Sequence, residues 1–152
     1  MESSSTGSLE KMGLVLDTSV LIASEKGHFD LEELIITQIG QELPGLPTIV
    51  AAEYLHGVER ALPGRRRNHR LAFLDELFAR SQILPFDLDT ARLHASVWAQ
   101  LAASGITVGA HDLIIAATCL YLDWDLATLN RAEFSRVPSL RLVPTDAGRL
   151  GD

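Results

Sequence analysis

Short apolar runs alternate with longer stretches of helical spacing along most of this chain, and their order predicts the fold. Gly13-Leu14-Val15-Leu16 is an apolar run that stops at Asp17-Thr18-Ser19, the pattern of a buried strand delivered to a helix N-cap. Val20 to Ser24 should open that helix, and an amphipathic helix is expected over Leu31 to Ile39, closed by Gly40. A second strand is expected at Leu43 to Leu46. From Thr48 the spacing is helical again, with Ala51, Leu55, Val58 and Leu62 forming one apolar stripe. Glu53 falls off that stripe, on a face with Ile49 and Gly57, and the missing side chain at Gly57 should leave open space beside the carboxylate.

Pro63-Gly64 ends that helix, and Leu71, Leu74 and Phe78 mark another from about Arg66 to Arg80, followed by a third strand at Ile83 to Phe86. Asp87 to Thr90 reads as the cap of a helix that carries Leu93, Val97 and Leu101 and ends at Gly105. Asp112 to Leu122 is apolar nearly all round, so its helix should lie against the sheet. A fourth strand at Leu126 to Leu129 ends at Asn130, a short helix spans Arg131 to Ser135, and Leu140 to Val143 is expected as a fifth strand. Short apolar strands separated by helices imply an α/β fold with a parallel sheet covered on both faces. In such sheets ligands bind outside the carboxyl ends of the strands, where strand order reverses, and both Asp17 and Asn130 fall at strand ends.

Length and composition narrow the setting. The 152 residues fit one domain, expected over 13–146, with a Ser-rich disordered tail at 1–12 and a flexible end at 147–152. The tail has no basic segment followed by an apolar one, so it does not read as a signal peptide. Cys119 is alone, which excludes an intramolecular disulfide and suggests a reducing, cytoplasmic setting. Leu113 to Leu122 is too short to span a bilayer. A formal net charge of -7 argues against a protein that coats nucleic acid with its whole surface, although 47% apolar residues suggest that some surface meets a partner.

The chemistry should lie with Asp17, Glu53, Asp112 and Asn130, each placed at a strand end or near a helix start that can face one crevice. Singly they have plainer readings: a helix cap for Asp17, a local pair with His56 for Glu53, a helix-dipole partner for Asp112, a turn former for Asn130. Three carboxylates brought together repel unless a proton or a cation relieves them. Oxygen ligands of this kind suit magnesium or manganese rather than zinc. Such an ion activates water toward phosphorus, so the expected reaction is phosphodiester hydrolysis by a magnesium-bound water.

Four segments carry a resemblance. Val15-Leu16-Asp17-Thr18-Ser19-Val20-Leu21-Ile22, Ala52-Glu53-Tyr54-Leu55-His56-Gly57, His111-Asp112-Leu113-Ile114-Ile115-Ala116-Ala117 and Ala127-Thr128-Leu129-Asn130-Arg131-Ala132-Glu133-Phe134, taken in this order, resemble the PIN-domain ribonucleases. Within them the chain looks like a VapC-type toxin of a toxin-antitoxin pair. The resemblance implies a three-layer fold with a five-stranded parallel sheet in the order 3-2-1-4-5, a homodimer, a VapB-type antitoxin as partner, dependence on Mg2+ or Mn2+, and cleavage of structured RNA such as transfer or ribosomal RNA. It also implies that Asp17, Glu53 and Asp112 hold the metal, that Asn130 takes a fourth position often filled by Asp, and that Thr128 supports the site through its hydroxyl.

Arg65, Arg66, Arg67 and Arg70 are the densest positive charge in the chain, and contact with RNA or with an acidic antitoxin segment is expected there against the plainer reading of a solvated run. His56 and His111 adjoin the motif acids without a spacing that demands a role. Cys119 should be core, and Trp98 and Trp124 core or dimer contacts. A non-catalytic RNA-binding or scaffold domain is the competing function. Phosphatases of the haloacid-dehalogenase kind need an acid where Ser19 stands, and no glycine-rich phosphate loop is present.

Overall fold

Leu14, Val15 and Leu16 are fully buried and form strand β1 (Leu14–Leu16), around which the rest of the chain assembles. An aliphatic triplet with no polar alternation is stable only where both faces are covered. The computed structural model describes residues 13–151; the tail expected over 1–12 lies outside the described residues, as does Asp152. After β1 come α1 (Thr18–Glu25), α2 (Leu31–Ile39), β2 (Gly45–Pro47), α3 (Thr48–Glu59), α4 (Arg65–Ala79), β3 (Gln82–Leu84), α5 (Leu88–Ala103), α6 (Ala110–Leu122), β4 (Asp125–Ala127) and the short α7 (Arg131–Phe134).

The sheet runs β3-β2-β1-β4 with every pair parallel; Val15 faces Gly45 on one side and Leu126 on the other. The chain therefore moves outward from β1 through β2 to β3 and then returns to β4 on β1's far side. That reversal puts the crevice for a ligand at the carboxyl ends of β1 and β4. Helix α3 packs on α1, and α6 packs on both α5 and α3, so the helices that lead away from the strand ends touch one another.

Two sequence expectations need correction. The sheet has four strands rather than five: Leu140 to Val143 contributes one parallel bridge, Leu126 to Leu142, instead of a fifth strand. The ladder is confined because Ser139 takes a positive φ of 70° after Pro138, and Pro144 has no N–H to continue it. The buried stripe of α3 is Val50, Tyr54 and Val58, while Leu62 is 86% exposed because the helix has ended at Glu59. The large ring of Tyr54 takes the core-facing position and shifts the stripe around the helix.

Beyond β4 the chain folds back. Residues Asp146–Gly148 make a 3-10 turn against α2, where the Asp30 N–H donates to the Gly148 carbonyl at 2.8 Å and Phe29 bridges to Arg149. A Cβ at Gly148 would sit 2.2 Å from the Phe29 ring, so this turn, which straddles the start of the end expected at 147–152, packs directly on the aromatic face. Cys119 is fully buried on α6, as its sequence context suggests. Trp124 is half-buried across Gly13 and Gly45, and Trp98 is 61% exposed beside His94.

Candidate active site

Asp17 leaves the carboxyl end of β1 at the N-cap position of α1, yet its side chain makes no capping bond. Its Oδ2 instead accepts from the Thr128 hydroxyl at 2.7 Å and from the Ser19 hydroxyl at 2.8 Å. The carboxylate is 5% exposed, so these two donors offset much of the cost of burying a charge. Ser19 Oγ also accepts from the Leu129 N–H at 2.9 Å, and Thr128 Oγ1 accepts from the Asn130 N–H at 2.9 Å. One oxygen of Asp17 is thereby tied to the loop after β4, and no described residue hydrogen-bonds to the other.

Glu53 reaches the same crevice from the second turn of α3. Its Oε1 accepts from the Thr18 hydroxyl and its Oε2 lies 2.9 Å from His111 Nδ1. Asp112 stands in the first turn of α6 next to His111, held there because the apolar face of α6 buries Leu113, Ile115, Ala116 and Cys119. A cleft of about 380 Å³ is lined by Glu53, Gly109, Ala110, His111 and Asp112. The larger hollow, about 480 Å³ between α2 and α4, is walled by Leu31, Ile35, Phe73 and Leu77, and of the acids around it, Glu32, Glu42 and Glu76, two pair with Arg80.

Electrostatics place the acids in one neighbourhood. The Asp112 carboxyl is pushed up to about 6, first by burial and then by the charges of Asp17, Glu133 and Glu53, with His111 opposing them. Burial and the neighbouring carboxylates thus both disfavour a second negative charge at this position. Glu133 is the acid that the sequence pattern alone did not single out. Its Oε2 accepts from the Gly109 N–H at 2.7 Å, and a Cβ at Gly109 would stand between the Glu133 and Asp112 carboxylates, 3.4 and 3.5 Å from their nearest oxygens. Glu133 thus caps the positive end of α6 beside Asp112. A usable signal was present, an acid three residues after Asn130, the position that precedes the short helix expected from Arg131. Asn130 sits at that N-cap position, its backbone tied to Thr128, and its side chain makes no described hydrogen bond.

The arginine run divides. Arg70 lies under the surface, with its guanidinium 4.9 Å over the Tyr54 ring and Nε 3.5 Å from the nearly buried Glu25. Its terminal nitrogen would meet a Cβ at Gly57 at 3.3 Å, so the space expected beside Gly57 is filled by Arg70. Arg67 pairs with Glu59 at 3.3 Å. Arg65 and Arg66 are exposed at the start of α4.

The donor chemistry fits a hard divalent cation: carboxylate oxygens, a surplus of negative charge, and a raised pKa on the acid at its centre. Among the described residues no three His, Cys, Asp or Glu stand close enough together to grip an ion directly. Hydroxyls and His111 hold Asp17 and Glu53 where they are, so the fit is to an ion that keeps several waters, as magnesium does. Among the described residues no helix is long and apolar enough to cross a membrane.

The profile of the PIN domain family matches residues 14–140. A ribonuclease VapC of Rickettsia bellii is 32% identical over 132 residues, covering 87% of this chain and 96% of that protein. The fold is similar to that in the crystal structure of VapBC2 from Rickettsia felis bound to a DNA fragment from their promoter, with a TM-score of 0.75 and 25% identity over 87% of this chain and 98% of that one. It is also similar to VapBC-5 of Mycobacterium tuberculosis, a member of the VapBC family of toxin-antitoxin systems, with a TM-score of 0.67 and 28% identity over 87% and 99% of the two chains. Four motifs in order, a reversal of strand order at β1 and a relative matched along nearly its full length agree: the chain belongs to the PIN-domain family, among its VapC ribonucleases.

Proposed function

We propose that the protein is a metal-dependent endoribonuclease and the toxin of a toxin-antitoxin pair, cutting phosphodiester bonds of structured RNA in the cytoplasm. The observation that carries this reading is the meeting of Glu53 and Asp112 in one cleft at the switch point of the sheet, with Asp17 and Glu133 near enough to raise the Asp112 pKa. Its relatives named as ribonuclease VapC and as VapBC complexes support the activity and the partner class.

Asp17, Glu53 and Asp112 would hold Mg2+ or Mn2+, with Glu133 beside Asp112 and Asn130 at the rim. When bound, the ion supplies a Lewis acid toward the phosphate and an activated water. The chain's own part is to pre-set the acids. Thr128 and Ser19 fix one oxygen of Asp17 and leave the other for binding. Thr18 and His111 hold Glu53 from both sides, so it does not collapse onto Asp112. Burial of the apolar side of α6 fixes the backbone that carries Asp112 at the cleft. Preorganisation of this kind lowers the reorganisation needed as charge develops on the phosphate.

The test is cleavage of transfer or ribosomal RNA by the purified protein in magnesium and in EDTA, with Asp17→Asn alongside. Loss of cleavage in both controls is expected. Cleavage that persists in EDTA and in the variant rejects the metal mechanism, whereas RNA binding without any cleavage by the native chain leaves a scaffold role. The VapB-type antitoxin and the homodimer belong to the same proposal, and light scattering with and without the partner reads both.

A further inference from the structure

Five of the chain's 13 Lys and Arg residues fall between Arg60 and Arg70, in a protein of formal net charge -7. Two of the five are engaged internally, Arg70 on Glu25 and Tyr54 and Arg67 on Glu59. Arg60, Arg65 and Arg66 are exposed and make no ion pair among the described residues. Arg60 is the C-cap of α3 and keeps helical backbone angles, so positions 53, 56 or 57, and 60 follow one another at helical spacing and Arg60 continues the face that carries Glu53. Seven residues at 1.5 Å each put Arg60 about 10 Å along the axis from the cleft acid. Arg65 and Arg66 open α4, whose N-terminus has no side-chain cap and no acid in its first turn, so nothing there neutralises the positive end of the helix.

We propose that Arg60, Arg65 and Arg66 form a phosphate track that receives the RNA backbone on one side of the scissile bond; this rests on the ribonuclease reading above. The cleft itself repels phosphate, since Asp17, Glu53, Asp112 and Glu133 gather there. A polyanionic substrate needs an attractive field close by to approach it, and the exposed arginines at the end of α3 and the start of α4 supply one. An acidic protein segment fits these arginines by charge, but continued along α3 it would carry carboxylates into the acids of the cleft. An RNA strand arriving with its divalent cation does not meet that repulsion.

The experiment uses the full chain carrying Asp17→Asn, so that RNA stays intact, and a fluorescein-labelled single-stranded RNA of mixed sequence, titrated in magnesium at several salt concentrations. Replacing Arg60, Arg65 and Arg66 by Ala should raise Kd about tenfold or more and flatten the slope of log K against log salt by roughly 2, at about 0.7 for each phosphate left without its arginine. The corresponding Lys triple variant should bind as the parent does, because point charges suffice for a phosphate track, and Arg92→Ala serves as the control off this face. In the cleavage-competent chain the Ala triple should raise KM and leave kcat at saturating RNA unchanged. An Ala triple that binds RNA with the parent's Kd and salt slope overturns the track, and one that does so while escaping inhibition by an acidic partner assigns these arginines to that partner. A parent protein that neither binds nor cleaves RNA fails at the earlier step and removes the ribonuclease reading itself.

Discussion

Thr128 and Asp17 stand 111 positions apart in the chain and meet in the core, the hydroxyl donating to Oδ2 at 2.7 Å with both residues at most 5% exposed. Thr128→Val keeps the shape and removes the donor. Asp17 then retains Ser19 alone, and the Asn130 N–H loses its acceptor. Cleavage should fall about tenfold or more, in the range usual for outer partners of a metal ligand. Stability should drop by about 1–3 kcal/mol in urea unfolding, as expected when a hydrogen bond to a charged group is removed. Thr128→Ser should recover most of both, and a Val variant as active as the parent would show that Asp17 needs no such support.

Asp112 predicts a conflict between stability and activity. Its carboxyl, ordinarily near 3.8, is pushed up to about 6, so the folded metal-free protein keeps a proton that the unfolded chain has already released between those values. This group's contribution is therefore most favourable at low pH and is lost as pH rises through about 6, above which the ionised carboxylate destabilises the metal-free fold. Asp112→Asn should raise the melting temperature in EDTA at pH 8 by a few degrees, on the order of 1–2 kcal/mol after solvent screening. At pH 5 the gain should be roughly half as large, and it should vanish only as pH approaches 3.8, because the unfolded chain stays ionised down to that value while the folded carboxyl has already taken its proton. The same variant should not cleave RNA, and cleavage by the parent should decline as pH falls through about 6, where protons compete with the metal.

Glu133 and Asn130 can be told apart. The Glu133 carboxylate receives the Gly109 N–H and acts on Asp112, whereas the Asn130 side chain makes no described hydrogen bond. Glu133→Gln should cost more activity than Asn130→Ala, by roughly tenfold in kcat under saturating metal. The Gln variant should also lower the pKa read for Asp112 by NMR, since one of the charges raising it is gone. Equal losses in the two variants would return the fourth position to Asn130.

Arg70 should behave as a core residue rather than as part of a ligand surface. Arg70→Ala leaves Glu25 nearly buried and without its guanidinium partner, and should cost about 3 kcal/mol in chemical denaturation. Arg70→Lys should recover only part, because an ammonium neither spreads over the Tyr54 ring nor fills the gap at Gly57 in the same way. Arg65→Ala, at an exposed helix start, should leave stability within about 0.5 kcal/mol of the parent.

The alternation of apolar runs and helical stretches determined the α/β class, the parallel sheet and the position of Asp17 at the end of β1, because each depends on local periodicity and on residues adjacent in the chain. The same local information identified Glu53 and Asp112 as acids at helix positions able to face a strand end. Only tertiary structure decided which partners those acids have: Thr18 and His111 on Glu53, Ser19 and Thr128 on Asp17, and Glu133 beside Asp112 across Gly109. It also decided that the fifth strand is a single bridge and that Arg70 turns inward. These outcomes depend on contacts between segments far apart in sequence, where the packing of Tyr54 or the φ of Ser139 outweighs local propensity and leaves no periodic trace to read.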